Sequence, residues 1–354
     1  MKGLLTAGGH GTRLRPITHT KNKHLIPIAN RPMLAYAIDY MSEADITDIG
    51  IIINSGDTEI EACFGSGKEF GVNLTYIEQD SPRGLAHVVK IAEEFISQEN
   101  FLFYLGDNIL VGGIKKFVKE FTNTDSNCHL VLSKVPDPER FGVPEIEKKK
   151  IISIEEKPSK PKSNFAVTGI YLYDASVFEA VKQIKPSARG ELEISDVHQL
   201  LIDNGSSISF SEITGWWKDT GKPSDLLEAN KLVLNNIDGE NLAEVDGYSS
   251  VLGTFVASNG STIKNSQIHG PVIIGQNVKI ENSYIGPHTS ISDNCLIIGS
   301  EIEYSIIMSG STISNVDSRI EASLLGNDVK LNQSKNRPRA HQIMIGDEGR
   351  VDFA

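Results

Sequence analysis

The first residues of the chain place a glycine-rich loop among cations. The loop consists of Gly8, Gly9, Gly11, Thr12 and Arg13. Glycines let backbone N–H groups approach phosphate oxygens closely, because no Cβ intervenes. Residues 1–38 contain six Lys or Arg and no acid, whereas the whole chain has a net charge of −12. This contrast predicts that the segment handles a small anion.

Two familiar phosphate-binding loops do not fit this segment. A Walker loop requires Gly-Lys-Ser/Thr, but Gly11 is followed by Thr12 and Arg13. A dinucleotide fingerprint that starts at Gly9 requires a glycine where Leu14 stands. A glycine turn alone is weak evidence for phosphate binding. The combination of the turn with Arg13 and Lys23 is stronger.

Two aspartates stand where a divalent cation could be held. Asp107 follows the apolar segment 101–105, and Asp219 lies in the segment 216–221, which begins with two tryptophans. Mg²⁺ usually takes one or two carboxylates together with phosphates and water. The alternative for Asp107 is a plain turn residue in Gly-Asp-Asn.

Alternating strand-like and helix-like segments in the first 235 residues must position these groups. Apolar segments at 3–6, 49–54, 74–78 and 101–105 predict strands, and helical spacing begins at Pro32 and again near Gly84. This alternation predicts a parallel sheet with helices on both faces. Ligands bind such sheets at the carboxyl ends of the strands, where the glycine loop and Asp107 fall.

The pattern changes between about residues 250 and 326. Isoleucines recur in steps of five or six, from Ile268 to Ile313, with turn-forming residues between them. A period near six with one inward aliphatic side chain per repeat predicts a hexapeptide β-helix of about four coils. A β-sandwich would show alternating strands at a wider spacing. We therefore expect two domains, residues 1–236 and 237–354.

Composition excludes several classes of protein. The 354 residues contain no apolar run near the ~20 residues that span a membrane, and no signal-peptide pattern is present. Cys63, Cys128 and Cys295 are too far apart in sequence to indicate a disulfide framework or a CxxC metal site. The acidic charge argues against nucleic acid as a partner. We expect a cytoplasmic protein with no membrane or nucleic-acid partner.

Residues 7–14 (AGGHGTRL) and 23–28 (KHLIPI) resemble the opening of the sugar-1-phosphate nucleotidylyltransferases. The resemblance continues in segments 79–86, 105–108, 155–158, 167–171, 189–194 and 215–221. It is closest to the long type of glucose-1-phosphate thymidylyltransferase and covers essentially the whole chain. It implies a doubly wound, Rossmann-like α/β domain with a mixed sheet, followed by a left-handed parallel β-helix.

The resemblance also implies a reaction. Glucose 1-phosphate would attack the α-phosphorus of dTTP in line, with Mg²⁺ present, to give dTDP-glucose and pyrophosphate. The alternatives are a uridylyltransferase that uses UTP, or a silent regulatory or assembly subunit. We expect a homo-oligomer in which the β-helix and the tail from Ser334 to Ala354 serve assembly.

The resemblance assigns roles to individual residues. Those implied in catalysis are Arg13, Lys23, Asp107, Lys157 and Asp219, of which Asp107 and Asp219 hold the metal. Those implied in nucleotide binding are Gly8, Gly9, Gly11, Thr12, Arg13, Gln79, Pro82 and Gly84. Those implied in binding the sugar phosphate are Gly142, Glu156, Lys157 and Thr168.

Two positions depart from the family: Thr6, which replaces a usual aliphatic residue and changes packing only, and His24. His24 stands where the family usually has Gln, near the sugar of the nucleotide. An imidazole could donate to a ribose hydroxyl, so this departure predicts a smaller preference for dTTP over UTP than the family's usual one.

Overall fold

A computed structural model describes residues 1–333 and 343–352 of the chain. The residues form two compact units, and the chain passes between them three times. The first unit comprises Met1–His10 and Leu34–Asp219, and the second comprises Gly11–Met33 and Thr220–Ala354. The glycine loop is therefore divided between the units. The domain boundary at residue 236 stays a prediction.

The first 236 residues contain thirteen strands and eight α-helices. The strands are β1 (Lys2–Thr6), β2 (Pro27–Ile28), β3 (Arg31–Pro32), β4 (Asp48–Asn54), β5 (Asn73–Gln79), β6 (Phe101–Leu105), β7 (Asn108–Leu110), β8 (Cys128–Lys134), β9 (Gly142–Glu147), β10 (Lys150–Glu156), β11 (Phe165–Tyr173), β12 (Ile208–Glu212) and β13 (Trp217–Asp219). The helices are α1 (Met33–Glu43), α2 (Glu59–Phe64), α3 (Leu85–Ile91), α4 (Glu93–Ile96), α5 (Lys115–Thr122), α6 (Val177–Val181), α7 (Ile194–Asp203) and α8 (Pro223–Leu234).

The first unit is built on a nine-stranded mixed sheet. Its parallel centre has the order β6, β1, β4, β5, and β11 joins β6 in the antiparallel sense. On the far side of β11 lie β8 with β12, and β9 with β10. The central strands are apolar and buried, as parallel strands covered on both faces are. The mixed α/β sheet expected from the resemblance is confirmed.

The second unit continues into three parallel sheets that wrap one apolar core. The first sheet contains Glu240–Asn241, Phe255–Ala257, Val272–Ile274, Thr289–Ile291 (β23), Ile306–Ile307 and Leu324–Leu325; the second contains Glu244–Val245, Thr262–Lys264, Lys279–Glu281, Leu296–Ile298, Thr312–Ser314 and Lys330–Asn332; the third contains Ser250–Leu252, Gln267–His269, Tyr284–Ile285, Glu301–Glu303 and Ile320–Glu321. Paired residues such as Ile263, Ile280 and Ile297 are buried and stack in successive coils. This arrangement is consistent with the expected left-handed β-helix.

The β-helix is longer than its isoleucine pattern predicts. Two of its sheets contain six strands each, against an expectation of about four coils. The outer coils use Ala243, Val245, Leu325 and Leu331, which are only partly buried against the core. End coils have a neighbour on one side only, so they do not require a fully buried isoleucine.

Among the described residues, no α-helix is long and apolar enough to cross a membrane.

His198 and His129 are the most deeply buried histidines of the first unit. His198 is fully buried, and its Nε2 lies 2.6 Å from the hydroxyl of Tyr173. His129, on β8, lies 2.7 Å from the hydroxyls of Ser209 and Ser211. Burial lowers the pKa of His198 to about 3 and that of His129 to about 4. Both side chains are therefore neutral in the folded chain near pH 7.

We expect the folded chain to lose stability as the pH falls from 7 to 5. In the unfolded chain a histidine has a pKa of ~6.5 and takes up a proton between pH 7 and pH 5. In the folded chain, His198 and His129 stay neutral over this range. Each contributes about 2 kcal/mol to the loss. The free energy of unfolding of His198→Gln, measured in urea, should fall by about 2 kcal/mol less than that of the wild type over this range. His19→Gln, at an exposed position, is the control, and equal losses for His198→Gln and wild type would contradict a neutral His198.

Candidate active site

A short two-stranded sheet joins two distant segments of the chain that each contain an aspartate. β7 pairs with β13 in the antiparallel sense, and the register sets Asp219 opposite Asn108, the residue after Asp107. Asn108 Nδ2 donates to Asp107 Oδ1 over 3.0 Å, and Trp217 Nε1 donates to Asn108 Oδ1 over 2.6 Å. The buried Asn108 therefore ties together the two segments that carry the acids.

Three carboxylates act on one buried tyrosine. Burial raises the pKa of Tyr171 above its ordinary value, and the negative charges of Glu156, Asp107 and Asp219 raise it further. Within residues 1–333 and 343–352, no group of three or more His, Cys, Asp or Glu side chains could hold a metal ion. Two oxygen-donating acids nevertheless fit a hard divalent cation, because substrate phosphates and water supply its other ligands.

Glu156, at the end of β10, is surrounded by a hydroxyl and two cations. Ser195 Oγ donates to Glu156 Oε2 over 2.6 Å, while Lys157 Nζ lies 3.3 Å and an Arg189 guanidinium nitrogen 3.5 Å from Oε1. Gly142 pairs with Glu156 across β9 and β10. A Cβ added to Gly142 would lie 2.7 Å from Ser195 Oγ, so glycine leaves room for this pair. The cluster presents both cationic and carboxylate groups to a polar ligand.

The strand next to this cluster is irregular. The pairing of β11 with β8 shifts register between Val167 and Tyr171, and Val167 pairs with Gly142. Thr168 lies in the shifted stretch, where its buried hydroxyl donates to the carbonyl oxygen of Val131 over 2.8 Å. Irregularities of this kind are common beside active sites, where they redirect side chains. Because the hydroxyl proton of Thr168 is already donated to a backbone carbonyl, the threonine shapes this region mainly through its own backbone.

The first two loop glycines lie beside the ends of β4 and β5. Gly9 N donates to Asn54 Oδ1 over 3.0 Å, and a Cβ added to Gly8 would lie 3.6 Å from Gln79 Oε1. Gln79 Nε2 lies 2.9 Å from His87 Nδ1. An amide nitrogen only donates, so this ring nitrogen accepts. Burial first, and the charge of Arg83 second, lower the pKa of His87 and favour the neutral ring that this bond requires.

Gly84 allows the next loop to join a distant segment. Its φ of +96° lies outside the range that side chains usually adopt, and a Cβ there would collide with the backbone of Leu192. Leu192 N donates to the carbonyl oxygen of Arg83 over 2.8 Å, and Ala86 N donates to that of Leu192 over 3.1 Å. Pro82, just before this junction, is exposed.

In the second unit, the remainder of the glycine loop packs on its own cations. Gly11 has a φ of +56°, and a Cβ there would lie 3.1 Å from Lys23 Cβ. Thr18 Oγ1 donates to the carbonyl oxygen of Gly11 over 2.8 Å. The guanidinium of Arg13 lies against Gly221, where an added Cβ would be 3.0 Å from one of its nitrogens. Gly221 therefore allows Arg13 to occupy its position.

His24 is held inside the short 3₁₀ turn Lys23–Leu25. Its side chain and backbone are 1% exposed, and Nδ1 lies 2.9 Å from Asn22 Oδ1. The backbone N–H of His24 donates to the same oxygen. A hydrogen bond from this ring to a nucleotide sugar would require the ring to leave its present position.

The predicted site residues divide between the two units. The first unit contains Gly8, Gly9, Gln79, Pro82, Gly84, Asp107, Gly142, Glu156, Lys157, Thr168 and Asp219. The second contains Gly11, Thr12, Arg13 and Lys23. In the first unit, strand pairing and side-chain contacts connect Gly142 with Glu156 and Glu156 with Lys157. Strand pairing also sets Asp219 opposite Asn108, the residue after Asp107, and Gly8 lies near Gln79.

Sequence reasoning missed four residues that hold these groups: Asn54, Asn108, Arg189 and Ser195. Asn54 pairs with Gln79 in the register of β4 and β5, so both end parallel strands at the same edge. The rule that ligands bind at the carboxyl ends of strands would have identified Asn54. Although Arg189 begins a segment that resembles the family, no local pattern indicates that Arg189 or Ser195 contacts Glu156, which lies far away in sequence.

A mixed sheet with a glycine loop, an aspartate on or beside each of two paired strands, and a carboxylate–lysine cluster suits an enzyme that acts on phosphate esters. The nucleotidyl transferase family model matches residues 2–236. The chain belongs to this family, whose members generally use a divalent metal.

Full-length relatives narrow the comparison. The chain is 43% identical to a glucose-1-phosphate thymidylyltransferase of Streptomyces griseus, with 100% of both chains covered. It is 45% identical to one of Streptomyces antibioticus, over 100% of this chain and 99% of the relative. A Bacillus anthracis crystal structure, described as a candidate glucose-1-phosphate thymidylyltransferase with bound sucrose, matches with a TM-score of 0.64 and 45% identity. That match covers 68% of this chain and 98% of the other.

Proposed function

We propose that the protein is a glucose-1-phosphate thymidylyltransferase. A phosphate oxygen of glucose 1-phosphate attacks the α-phosphorus of dTTP, the bond from that phosphorus to the bridging oxygen breaks, and pyrophosphate leaves with dTDP-glucose as the product. The observation that carries the proposal is the pairing of β7 with β13, which brings Asp219 beside the Asp107 segment. The end-to-end similarity to named thymidylyltransferases supports the choice of substrates.

The reaction requires the protein to position the two substrates and to neutralise charge, but it does not require a nucleophilic side chain. The attacking phosphate oxygen is already ionised at neutral pH, so no general base is required. Catalysis then depends on alignment of the two substrates and on neutralisation of charge on the transferred group and on pyrophosphate. Charged side chains, backbone donors and a metal site supply these needs.

We assign Mg²⁺ to Asp107 and Asp219. The ion would neutralise phosphate charge when bound. Arg13 binds the triphosphate and stabilises the leaving pyrophosphate, and Lys23 binds at the α-phosphate. Lys157 pairs with the phosphate of the sugar.

The remaining site residues determine which sugar and which nucleotide bind. Glu156 accepts hydrogen bonds from sugar hydroxyls, with Gly142 and Thr168 shaping the pocket. Gln79 offers its carbonyl oxygen to the N3–H of the base, since its nitrogen already donates to His87. The other nucleotide-binding residues are Gly8, Gly9, Gly11, Thr12, Pro82 and Gly84.

A panel of nucleotides and sugars tests the reaction. We expect pyrophosphate release with dTTP and glucose 1-phosphate in the presence of Mg²⁺, and a lower kcat/KM with UTP. One methyl group in an apolar pocket is worth roughly 10–200-fold, which sets the expected ratio. His24→Gln is the matched variant, and an unchanged ratio would show that His24 does not affect the choice. A higher kcat/KM with UTP would favour a uridylyltransferase, and no release with any pair would favour a silent subunit.

Asp107→Asn tests the metal assignment. The substitution removes one charge with little change of volume, and loss of metal stabilisation should lower kcat by on the order of 100-fold or more. Asp125→Asn, at an exposed position outside the site, is the control and should retain the wild-type kcat. A wild-type Mg²⁺ dependence in Asp107→Asn would rule out Asp107 as a metal ligand.

We also propose a cytoplasmic homo-oligomer. All three cysteines are free, as expected in a reducing compartment. The first coil exposes Leu242, Tyr248 and Leu252, which a second copy could cover. Light scattering should give a mass that is a multiple of 38.7 kDa, and a monomer would contradict this proposal. Of the tail expected to assist assembly, residues 334–342 and 353–354 lie outside the described residues.

A further inference from the structure

One buried asparagine joins α8, the β-helix and the segment after Lys23. Asn230 is 0% exposed. Its Oδ1 accepts hydrogen bonds from Ala29 N over 2.8 Å and from Ser290 Oγ over 3.0 Å, and its Nδ2 donates to the carbonyl oxygen of His288 over 3.1 Å. The carboxamide thus bonds residue 29 to β23 and to the turn before it.

The next residue makes a second connection to the same strand. Ala29 and Asn30 form the tip of the β2–β3 hairpin, with φ values of +46° and +60°. Asn30 Nδ2 donates to the carbonyl oxygen of Ile291 over 2.7 Å, and Ser292 Oγ donates to Asn30 Oδ1 over 3.1 Å. Both residues of the tip are therefore fixed to the β-helix by side-chain hydrogen bonds.

Backbone hydrogen bonds connect the hairpin to Lys23. Met33 N donates to the carbonyl oxygen of Ile26, and Ile26 N donates to that of Lys23, both over 3.2 Å. Gly11 lies next to Lys23, because a Cβ added to this glycine would be 3.1 Å from Lys23 Cβ. The stretch from the glycine loop to the hairpin tip is thus continuously bonded or packed, and its far end is attached to β23.

We propose that the β-helix positions the cationic segment, residues 11–33, for the reaction and that Asn230 is the positioning residue. The proposal rests on the roles assigned above to Arg13 and Lys23. According to this proposal, the β-helix contributes to the rate of turnover as well as to assembly. Asn230 acts through Lys23 and contacts neither substrate.

Amide hydrogen exchange tests the attachment without any measurement of activity. In Asn230→Ala, the amides of residues 26–32 should exchange about tenfold faster or more, because the Ala29 N–H loses its buried acceptor. Ser261→Ala is the matched control. Ser261 is also buried in the β-helix, where its Oγ donates to the carbonyl oxygen of Gly275 and accepts from Val278 N, but it does not contact the hairpin. Wild-type exchange at 26–32 in Asn230→Ala would overturn the proposal.

Kinetics tests whether the attachment matters for turnover. Asn230→Ala should lower kcat by about tenfold and leave the KM for glucose 1-phosphate unchanged, since Lys157 and Glu156 are not in this network. In a Lys23→Ala background, the same substitution should change the single-turnover rate less than twofold, because both changes act through one group. Additive losses in the double variant would overturn the proposal, as would a wild-type kcat in Asn230→Ala.

Ser290→Ala covers the case in which Asn230→Ala does not fold. It removes one hydrogen bond to Asn230 and keeps the bond from Ala29 to Asn230. It should therefore produce a smaller increase in exchange at 26–32 and none elsewhere in the cationic segment. Equal exchange in Ser290→Ala and wild type would then count against the proposal. A wild-type protein without activity would contradict the proposed function instead, and the exchange result would still stand on its own.

Discussion

The pairing of β7 with β13 holds two like charges close to each other. Asp219 lies opposite Asn108, and Asp107 directly precedes that asparagine, so the folded chain keeps two carboxylates in one small region. Like charges at short range oppose folding unless a cation or hydrogen-bond donors compensate for them. The amide of Asn108 provides one such donor to Asp107. Asp107 follows the buried strand β6, which fixes its position beside β7, and Tyr171 lies on β11.

The charged residues to which roles are assigned belong to two different compact units. Asp107, Asp219 and Lys157 belong to the first unit, whereas Arg13 and Lys23 belong to the second. The chain passes between the units after His10 and again after Asp219, within two of the motifs that resemble those of the family. Residues on either side of one motif therefore belong to different compact units.

Polar side chains in buried positions determine which segments are joined. Asn108, Asn230 and Ser195 each contact partners far away in sequence, and each contact satisfies a polar group that would be costly to leave unpaired. The apolar stacks of the β-helix provide stability along its length, but isoleucine contacts tolerate small shifts. Hydrogen bonds such as that from Ala29 to Asn230 are directional, so they fix the position of a loop more closely than apolar packing does.

The sequence by itself determined the central strands β1, β4, β5 and β6, the starts of α1 and α3, the repeats of the second unit and the types of residue in the site. Spacing reports local geometry, so α1 begins within one residue of its expected start and β6 matches the apolar segment 101–105. The tertiary structure alone decided which distant residues meet. Ala29 and Asn230 are 201 positions apart, and no periodicity connects them. The isoleucine pattern also failed to predict the outer coils of the β-helix, because the side chains of these coils need only partial burial. Local patterns follow from the backbone of one segment, whereas such contacts depend on how whole segments pack.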